Sequence, residues 1–397
     1  MRRSIPQFHR RNFALLGVLG ALILVGCSSA SGSTVSKVPD ERLAVVPVEG
    51  CEKGWTDPTD LSPTRPVARC APGTPAPKPL SKSTNLTVSI PWKLEFAAPI
   101  LLANSMGEFA KENLTITTVA LPGYDAIPQL AQGQLDASVG GFEVAFFNAE
   151  RIGLPVRAVM GNYYPPFAGD YSVPQTGLWC RRDAFSDPSN PNLLETQDMT
   201  WSTATGKSSV AFFYAVEELT KKFPEFDAER VKTVVLPATE SPTALTNGAV
   251  DCSVLVDPVW QNFAGGDYVM AATQVPAEPL GFVLFGKSLL HDSPAVGDAF
   301  MRAVVRTINT YLTGDYHQND AVMAQLAADM NQPSADFMKK TPSLVFDWEL
   351  RAGTSERIQK MFIALNSIST YETPIPDDRL LDRSYYEHVV GKADTGQ

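Results

Sequence analysis

From Asn85 onward, short alternating apolar runs and longer helical periods follow one another along the chain. Leu86-Thr87-Val88-Ser89-Ile90 alternates with period two and reads as a strand. Ala97 to Asn113 places Ile100, Leu101 and Phe109 on one face and reads as a helix. Leu114 to Leu121 is a second strand, and Tyr124 to Gln132 a helix that Gly133 closes. Leu135 to Val139, Phe142 to Ile152 and Val156 to Met160 continue as strand, helix and strand. The order then restarts. Gly177 to Arg181 and Met199 to Ser202 are strands, and Ser208 to Lys222 is a helix with Val210, Phe213, Ala215, Val216 and Leu219 on its apolar face. Val231 to Leu236, Ser241 to Asn247, Ala249 to Val256 and Pro258 to Phe263 read as strand, helix, strand and helix. Tyr268 to Ala272 and Phe282 to Phe285 lead back toward the first half. The remainder is helical: Pro294 follows Ser293 as a capped start, and Val296, Phe300, Val304, Ile308 and Leu312 recur every fourth residue. Further helices are expected over Asp320 to Met330, Ser334 to Lys339 and Ser355 to Ile368. Alternation of this kind predicts an α/β protein whose parallel sheets are covered on both faces.

The segment before Asn85 has a different character. Arg2, Arg3, Arg10 and Arg11 precede an apolar run from Asn12 to Gly26 that ends Leu24-Val25-Gly26-Cys27. This is the layout of a signal peptide, and the run is short of the ~20 residues that span a bilayer. Its Leu-x-Gly-Cys ending resembles a bacterial lipoprotein box, which implies lipidation at Cys27 and export. Arg10-Arg11-Asn12-Phe13 also resembles a twin-arginine signal, with His9 where a hydroxyl residue is usual, so the export route stays open. Ser28 to Ser83 is rich in Ser, Thr, Pro and Gly and reads as an extended tether. The expected organisation is therefore residues 1–26 signal peptide, 27–84 lipidated tether, 85–175 with 270–397 one lobe, and 176–269 the other.

Composition narrows the function. With the four leader arginines taken from the 33 basic residues, 43 acids outweigh the remaining 29 by 14. An acidic surface argues against nucleic acid and against polybasic membrane binding. Besides Cys27 there are four cysteines, an even number for an oxidising compartment. Three pairings can be drawn; Cys51–Cys70 and Cys180–Cys252 keep each pair within one segment, and buried free thiols on strands are the alternative for the second. No CxxC occurs, so no zinc or redox motif is expected.

In open α/β sheets ligands sit at the carboxyl ends of the strands. Four junctions carry suitable residues: Pro91-Trp92-Lys93-Leu94-Glu95-Phe96, Gly140-Gly141-Phe142-Glu143, Thr205-Gly206-Lys207-Ser208-Ser209 and Asp257-Pro258-Val259-Trp260. The third offers glycine, hydroxyls and free N–H groups at a helix start, a setting for an anion; an ordinary capped start explains it equally. Trp92, Phe142 and Trp260 could clamp a flat ligand or simply fill a core. Glu95, Glu143 and Asp257 could accept hydrogen bonds or sit solvated at helix starts. Tyr163-Tyr164-Pro165-Pro166-Phe167 could line a cleft or cover the first lobe. Signals for catalysis are poor. His9 belongs to the leader, and His291, His317 and His388 fall in the helical tail, away from the expected cleft. No G-x-S-x-G, H-E-x-x-H or dinucleotide fingerprint is present in a suitable setting.

Several segments together resemble the periplasmic binding proteins for aliphatic sulfonates, taurine, nitrate and thiamine precursors. They are Ala103 to Phe109 followed by Glu112-Asn113-Leu114, then Gly133 to Ala137, Gly153 to Val156, Thr205 to Ser209, Gly248 to Cys252 with Asp257-Pro258, and Leu381 to Glu387. Cys252 departs from the family's usual Ala. The resemblance implies a two-lobed type II fold, each lobe a mainly parallel sheet flanked by helices, with two hinge strands between them. It further implies a lipid-anchored, extracytoplasmic, monomeric protein that closes on a small solute and docks on the permease of an ABC importer. No cofactor, metal or catalytic role is expected. A ligand-sensing module, or an enzyme like thiamine-pyrimidine synthase on the same fold, are the alternatives. The expected ligand set is Trp92, Lys93, Glu95, Gly141, Phe142, Glu143, Tyr163, Lys207, Ser208, Ser209, Asp257 and Trp260. The solute class stays open between a sulfonate, a nitrate-type anion and a nitrogen compound.

Overall fold

A computed structural model describes residues 45–62, 64–166, 175–274, 280–368 and 371–392. The leader, Cys27, the first part of the tether and Phe167 lie outside the described residues.

The first half runs β1 (Thr84–Ser89), α1 (Ala98–Ser105), β2 (Leu114–Val119), α2 (Gly123–Gln132), β3 (Ala137–Gly140), α3 (Val144–Arg151), β4 (Arg157–Gly161) and β5 (Tyr163–Tyr164). The second runs β6 (Gly177–Arg181), β7 (Thr200–Thr203), α4 (Val210–Lys222), β8 (Lys232–Val235), α5 (Ser241–Thr246), β9 (Cys252–Leu255) and β10 (Tyr268–Thr273). The chain then returns through β11 (Phe282–Phe285), α6 (Pro294–Tyr311), α7 (Asp320–Asp329), β12 (Val345–Phe346), α8 (Thr354–Ala364), α9 (Asp377–Leu380) and α10 (Ser384–Val390).

Two five-stranded sheets follow one plan. The first has the order β2-β1-β3-β11-β4, with β1 parallel to β2 and β3, and β11 antiparallel to β3 and β4. The second has the order β8-β7-β9-β6-β10, with β7 parallel to β8 and β9, and β6 antiparallel to β9 and β10. In each sheet the antiparallel strand is the one laid down just after the chain crosses over from the other. Each sheet with its helices forms a lobe. Fully buried Phe109, Phe285 and Phe300 meet between α6 and the first sheet, with ring centroids 5.0 and 5.5 Å apart. In the second lobe Trp201 packs on Phe212 and Phe226.

The cysteines pair as Cys51–Cys70 and Cys180–Cys252. Cys180 and Cys252 face each other across neighbouring antiparallel strands, which brings the two thiols together at the ladder itself.

Three expectations are corrected. The helix over Ala97 to Asn113 stops at Ser105, because Gly107 turns into the left-handed region at φ +76°. Ser334 to Lys339 forms no helix; only a single 3-10 turn at Met338–Lys340 stands there. The tether is the largest difference. From Val45 the chain lies against the folded body. Trp55 stacks on Tyr386 at 4.9 Å, Trp348 Nε1 donates to Gly54 O at 3.2 Å, and Thr56 N donates to Glu349 Oε1 at 2.6 Å. Arg351 Nη1 donates to Asp57 O at 2.9 Å. A Pro- and Ser-rich segment has few apolar groups, yet its carbonyls are what the buried polar side chains of the C-terminal part need.

Among the described residues no helix is long and apolar enough to cross a membrane.

Candidate functional site

The carboxyl ends of β1, β3, β7 and β9 point toward one another across the two lobes, and a cavity of about 130 Å³ lies between them. From the first lobe come Trp92, Phe96, Gly141, Glu143 and Tyr163; from the second come Thr205, Ser209, Val210 and Val256; Gln274 lies beside the returning crossover. The lobes touch here. A Cβ on Gly141 would stand 2.9 Å from Val210 Cγ1.

Of the twelve residues expected to bind a ligand, Trp92, Gly141, Glu143, Tyr163 and Ser209 line this cavity. The other seven do not. Lys93 is exposed. Lys207 sits in the 3-10 turn Gly206–Ser208 and turns outward, its Nζ donating to Glu229 O at 2.8 Å and Ala228 O at 3.1 Å. Ser208 shares that turn. Ser209 instead caps α4, its Oγ accepting from Ala211 N at 3.2 Å. Phe142 is fully buried and stacks on Phe282 with centroids 3.7 Å apart, so it belongs to the first lobe's core. Trp260 stacks on Trp179 at 6.2 Å in the second lobe. Asp257 is occupied by Trp260 Nε1 at 2.7 Å and by Thr176 Oγ1.

Glu95 and His317 form a pair that sequence reasoning missed. Glu95 Oε1 accepts from Tyr316 and lies 2.6 Å from His317 Nε2, while His317 Nδ1 lies 2.9 Å from Thr341 O. A carbonyl can only accept, so Nδ1 donates to Thr341 O and Nε2 faces the Glu95 carboxyl. Burial disfavours the charged ring, yet the Glu95 hydrogen bond and charge outweigh it and raise the His317 pKa. The pair sits behind the loop that carries Trp92 and Phe96 and fixes it, with Asn162 Nδ2 holding Phe96 O at 2.8 Å. His317 is thus close behind the cleft, against the expectation that it lay far away. On the other side of that wall, β5 turns Tyr163 into the cavity, and Tyr164 takes the Arg65 guanidinium over its ring at 4.2 Å.

Glu143 is unlike the other carboxylates. It stands at the start of α3 without capping it, and its Oε2 is buried with no hydrogen-bond partner. Desolvation pushes its carboxyl up to about 7. Asp257 is pushed up to about 6, by burial first, against the hydrogen bonds from Thr176 and Trp260 and with the Glu95 charge adding to the rise. The Glu143 shift fixes a sign. An acid whose folded pKa lies above its unfolded value of 4.5 weakens the fold progressively from about pH 4.5 to 7. Glu143→Gln is therefore expected to raise Tm relative to the parent at pH 8 and to match it near pH 4. Parallel melting curves check this, and a Tm difference independent of pH would contradict it.

Among the described residues no group of three His, Cys, Asp or Glu side chains is arranged to hold a metal ion. No protein-family profile matches the chain, and no curated protein matches it in sequence. Solved structures do match. The alkanesulfonate-binding protein SsuA of Xanthomonas axonopodis pv. citri, bound to MOPS, superposes with a TM-score of 0.56 at 14% identity, covering 78% of this chain and 98% of that one. The periplasmic nitrate-binding protein NrtA of Synechocystis PCC 6803 gives 0.57 at 11% identity, with 79% and 89% covered. The periplasmic aliphatic sulphonate binding protein SsuA of Escherichia coli gives 0.53 at 13% identity, with 75% and 92% covered. At such identities the likeness is one of fold, and the fold of this chain is that of the periplasmic binding proteins, two α/β lobes with a cleft between them.

Proposed function

We propose that this protein is an extracytoplasmic solute-binding protein, anchored by lipid at Cys27, which traps a small organic solute between its lobes and delivers it to an ABC importer. The observation that carries this reading is the convergence of four strand ends, two from each sheet, on one cavity of about 130 Å³. The matched structures are named as binding proteins or as the ligand-binding component of an ABC-type import system, which supports the same role. Residues 85–175 with 270–397 form one moving body in this reading, and 176–269 the other. The two crossovers between sheets act as hinges, and solute shifts the balance from open to closed.

The test uses fractions of small molecules from the organism's growth medium and the full-length chain in mild detergent. A fraction holding the solute at 100 times its Kd adds about 2.7 kcal/mol of stability, so at least one fraction raises Tm. Trp92→Ala removes an aromatic side chain that lines the cavity and is expected to lose that shift. No shift from any fraction, or an equal shift in the variant, would contradict the reading.

A further inference from the structure

We propose that the solute is a compact organic cation, about one ring in size, whose N–H groups are held by the Glu143 carboxylate. This rests on the reading of the cleft as the solute site and names the chemistry of that site.

Size comes first. The cavity of about 130 Å³ is close to the roughly 150 Å³ apolar cavity that takes benzene in another protein. Its walls are largely apolar, and Trp92, Phe96 and Tyr163, the last two stacked on each other at 5.9 Å, line it with aromatic side chains of the kind that attract a cation.

The polar atoms on the walls then decide the sign of the charge. Glu143 Oε2, Gln274 Oε1 and Thr205 Oγ1 are all buried there without a partner. Gln274 Oε1 can only accept, as can Glu143 Oε2 once ionised, and a hydroxyl can accept as well as donate. A buried polar atom without a partner costs about 1–3 kcal/mol, more when charged. A ligand rich in N–H donors removes that cost at each atom; a sulfonate or nitrate, which only accepts, removes it at Thr205 and, below about pH 7, at a protonated Glu143, and never at Gln274 Oε1.

No counter-charge for an anion is at hand. Among the described residues no Lys or Arg lines the cavity, and Lys93 and Lys207, the two basic residues at the cleft junctions, turn to solvent and to backbone carbonyls. Segments 167–174 and 275–279, outside the described residues, contain no Lys or Arg in sequence. Of the ionisable groups around Glu143, Tyr163 is raised above its ordinary range by burial and by the Asp257 charge, so it stays neutral. Asp257 and the Glu95–His317 pair lie behind the wall. The Glu143 carboxyl, pushed up to about 7 by burial with the lobes in contact and no ligand between them, ionises as it takes the cation. Affinity for a cation therefore rises as pH passes upward through about 7.

Benzamidine, benzamide and benzoate share a shape and differ in charge, and calorimetry on the full-length chain at pH 8 compares them with methanesulfonate and nitrate. Benzamidine is expected to bind at least roughly tenfold tighter than benzamide, and the three anions not at all. Glu143→Gln, whose fold is checked by its Tm, is expected to bring benzamidine down to the level of benzamide. Tighter binding of any anion, or an undiminished benzamidine preference in the variant, overturns the proposal. If a neutral or anionic probe binds instead and Trp92→Ala removes it, the cation proposal falls while the solute cleft stands. Silence from all five probes overturns the proposal too, and the medium fractions then test the cleft on their own.

Discussion

Replacing Arg306 by Met is expected to lower the stability of the protein by about 3–5 kcal/mol, a drop in Tm on the order of 10 °C. Arg306 stands on α6 and is 1% exposed. Its Nε meets Glu108 Oε2 at 2.6 Å, its Nη1 meets Glu112 Oε1 at 2.8 Å, and it further donates to Glu108 O and Pro75 O at 3.0 Å each. Three separate pieces of the first lobe are joined by one guanidinium: the long helix, the turn after α1, and the segment that runs in from the N-terminus. A planar fork with five donors suits such a set; an ammonium would reach fewer acceptors. Met fills similar volume but leaves two carboxylates in the interior. Arg302 still serves Glu112, and Lys111 and Tyr311 still serve Glu108, so the loss falls short of complete unfolding. Thermal melts of the two proteins check the figure, and a loss below about 1 kcal/mol would show that the cluster behaves as a surface ion pair.

That cluster also marks where the sequence could and could not be read. The strand ends were legible because an open α/β sheet always presents its loops on one edge. Trp92, Gly141, Glu143 and Ser209 accordingly fall on the cavity. Which way a side chain leaves such a loop depends on partners far along the chain. Glu95 looks like a cleft residue because Trp92 is near it, yet its partners Tyr316 and His317 come 221 and 222 residues later. Lys207 looks like part of an anion site until the carbonyls of Ala228 and Glu229 are placed beside it. The same holds for residues 45–83. Proline and serine read locally as a linker, but Arg302, Arg306, Arg351 and Trp348 of the C-terminal part each donate to a carbonyl of this backbone. Composition reports what a segment cannot bury by itself and says nothing of what a distant polar surface needs.

Replacing Gly141 by Leu is expected to weaken solute binding roughly 5- to 150-fold, the factor that corresponds to about 1–3 kcal/mol. The position carries no left-handed backbone, so a side chain is allowed in the separated lobes. In the described arrangement, with the lobes in contact, the first atom of that side chain would lie 2.9 Å from Val210 Cγ1 across the cleft. Val210 opens α4 and is buried, and a β-branched residue has little rotamer freedom with which to yield. Overpacking of this kind costs about 1–3 kcal/mol. Because the cost falls on the closed state alone, apparent affinity drops by the factor through which the competent population falls. Two readouts separate this from simple filling of the cavity, since Gly141 also lines it. With saturating benzamidine, small-angle scattering of the parent protein should contract, and that of the variant should keep the larger radius of its empty form. Affinity lost with full contraction would mean that Leu occupies the ligand's place. Affinity retained with full contraction would mean that the lobes close elsewhere than at Gly141 and Val210, and the hinge reading would have to be abandoned.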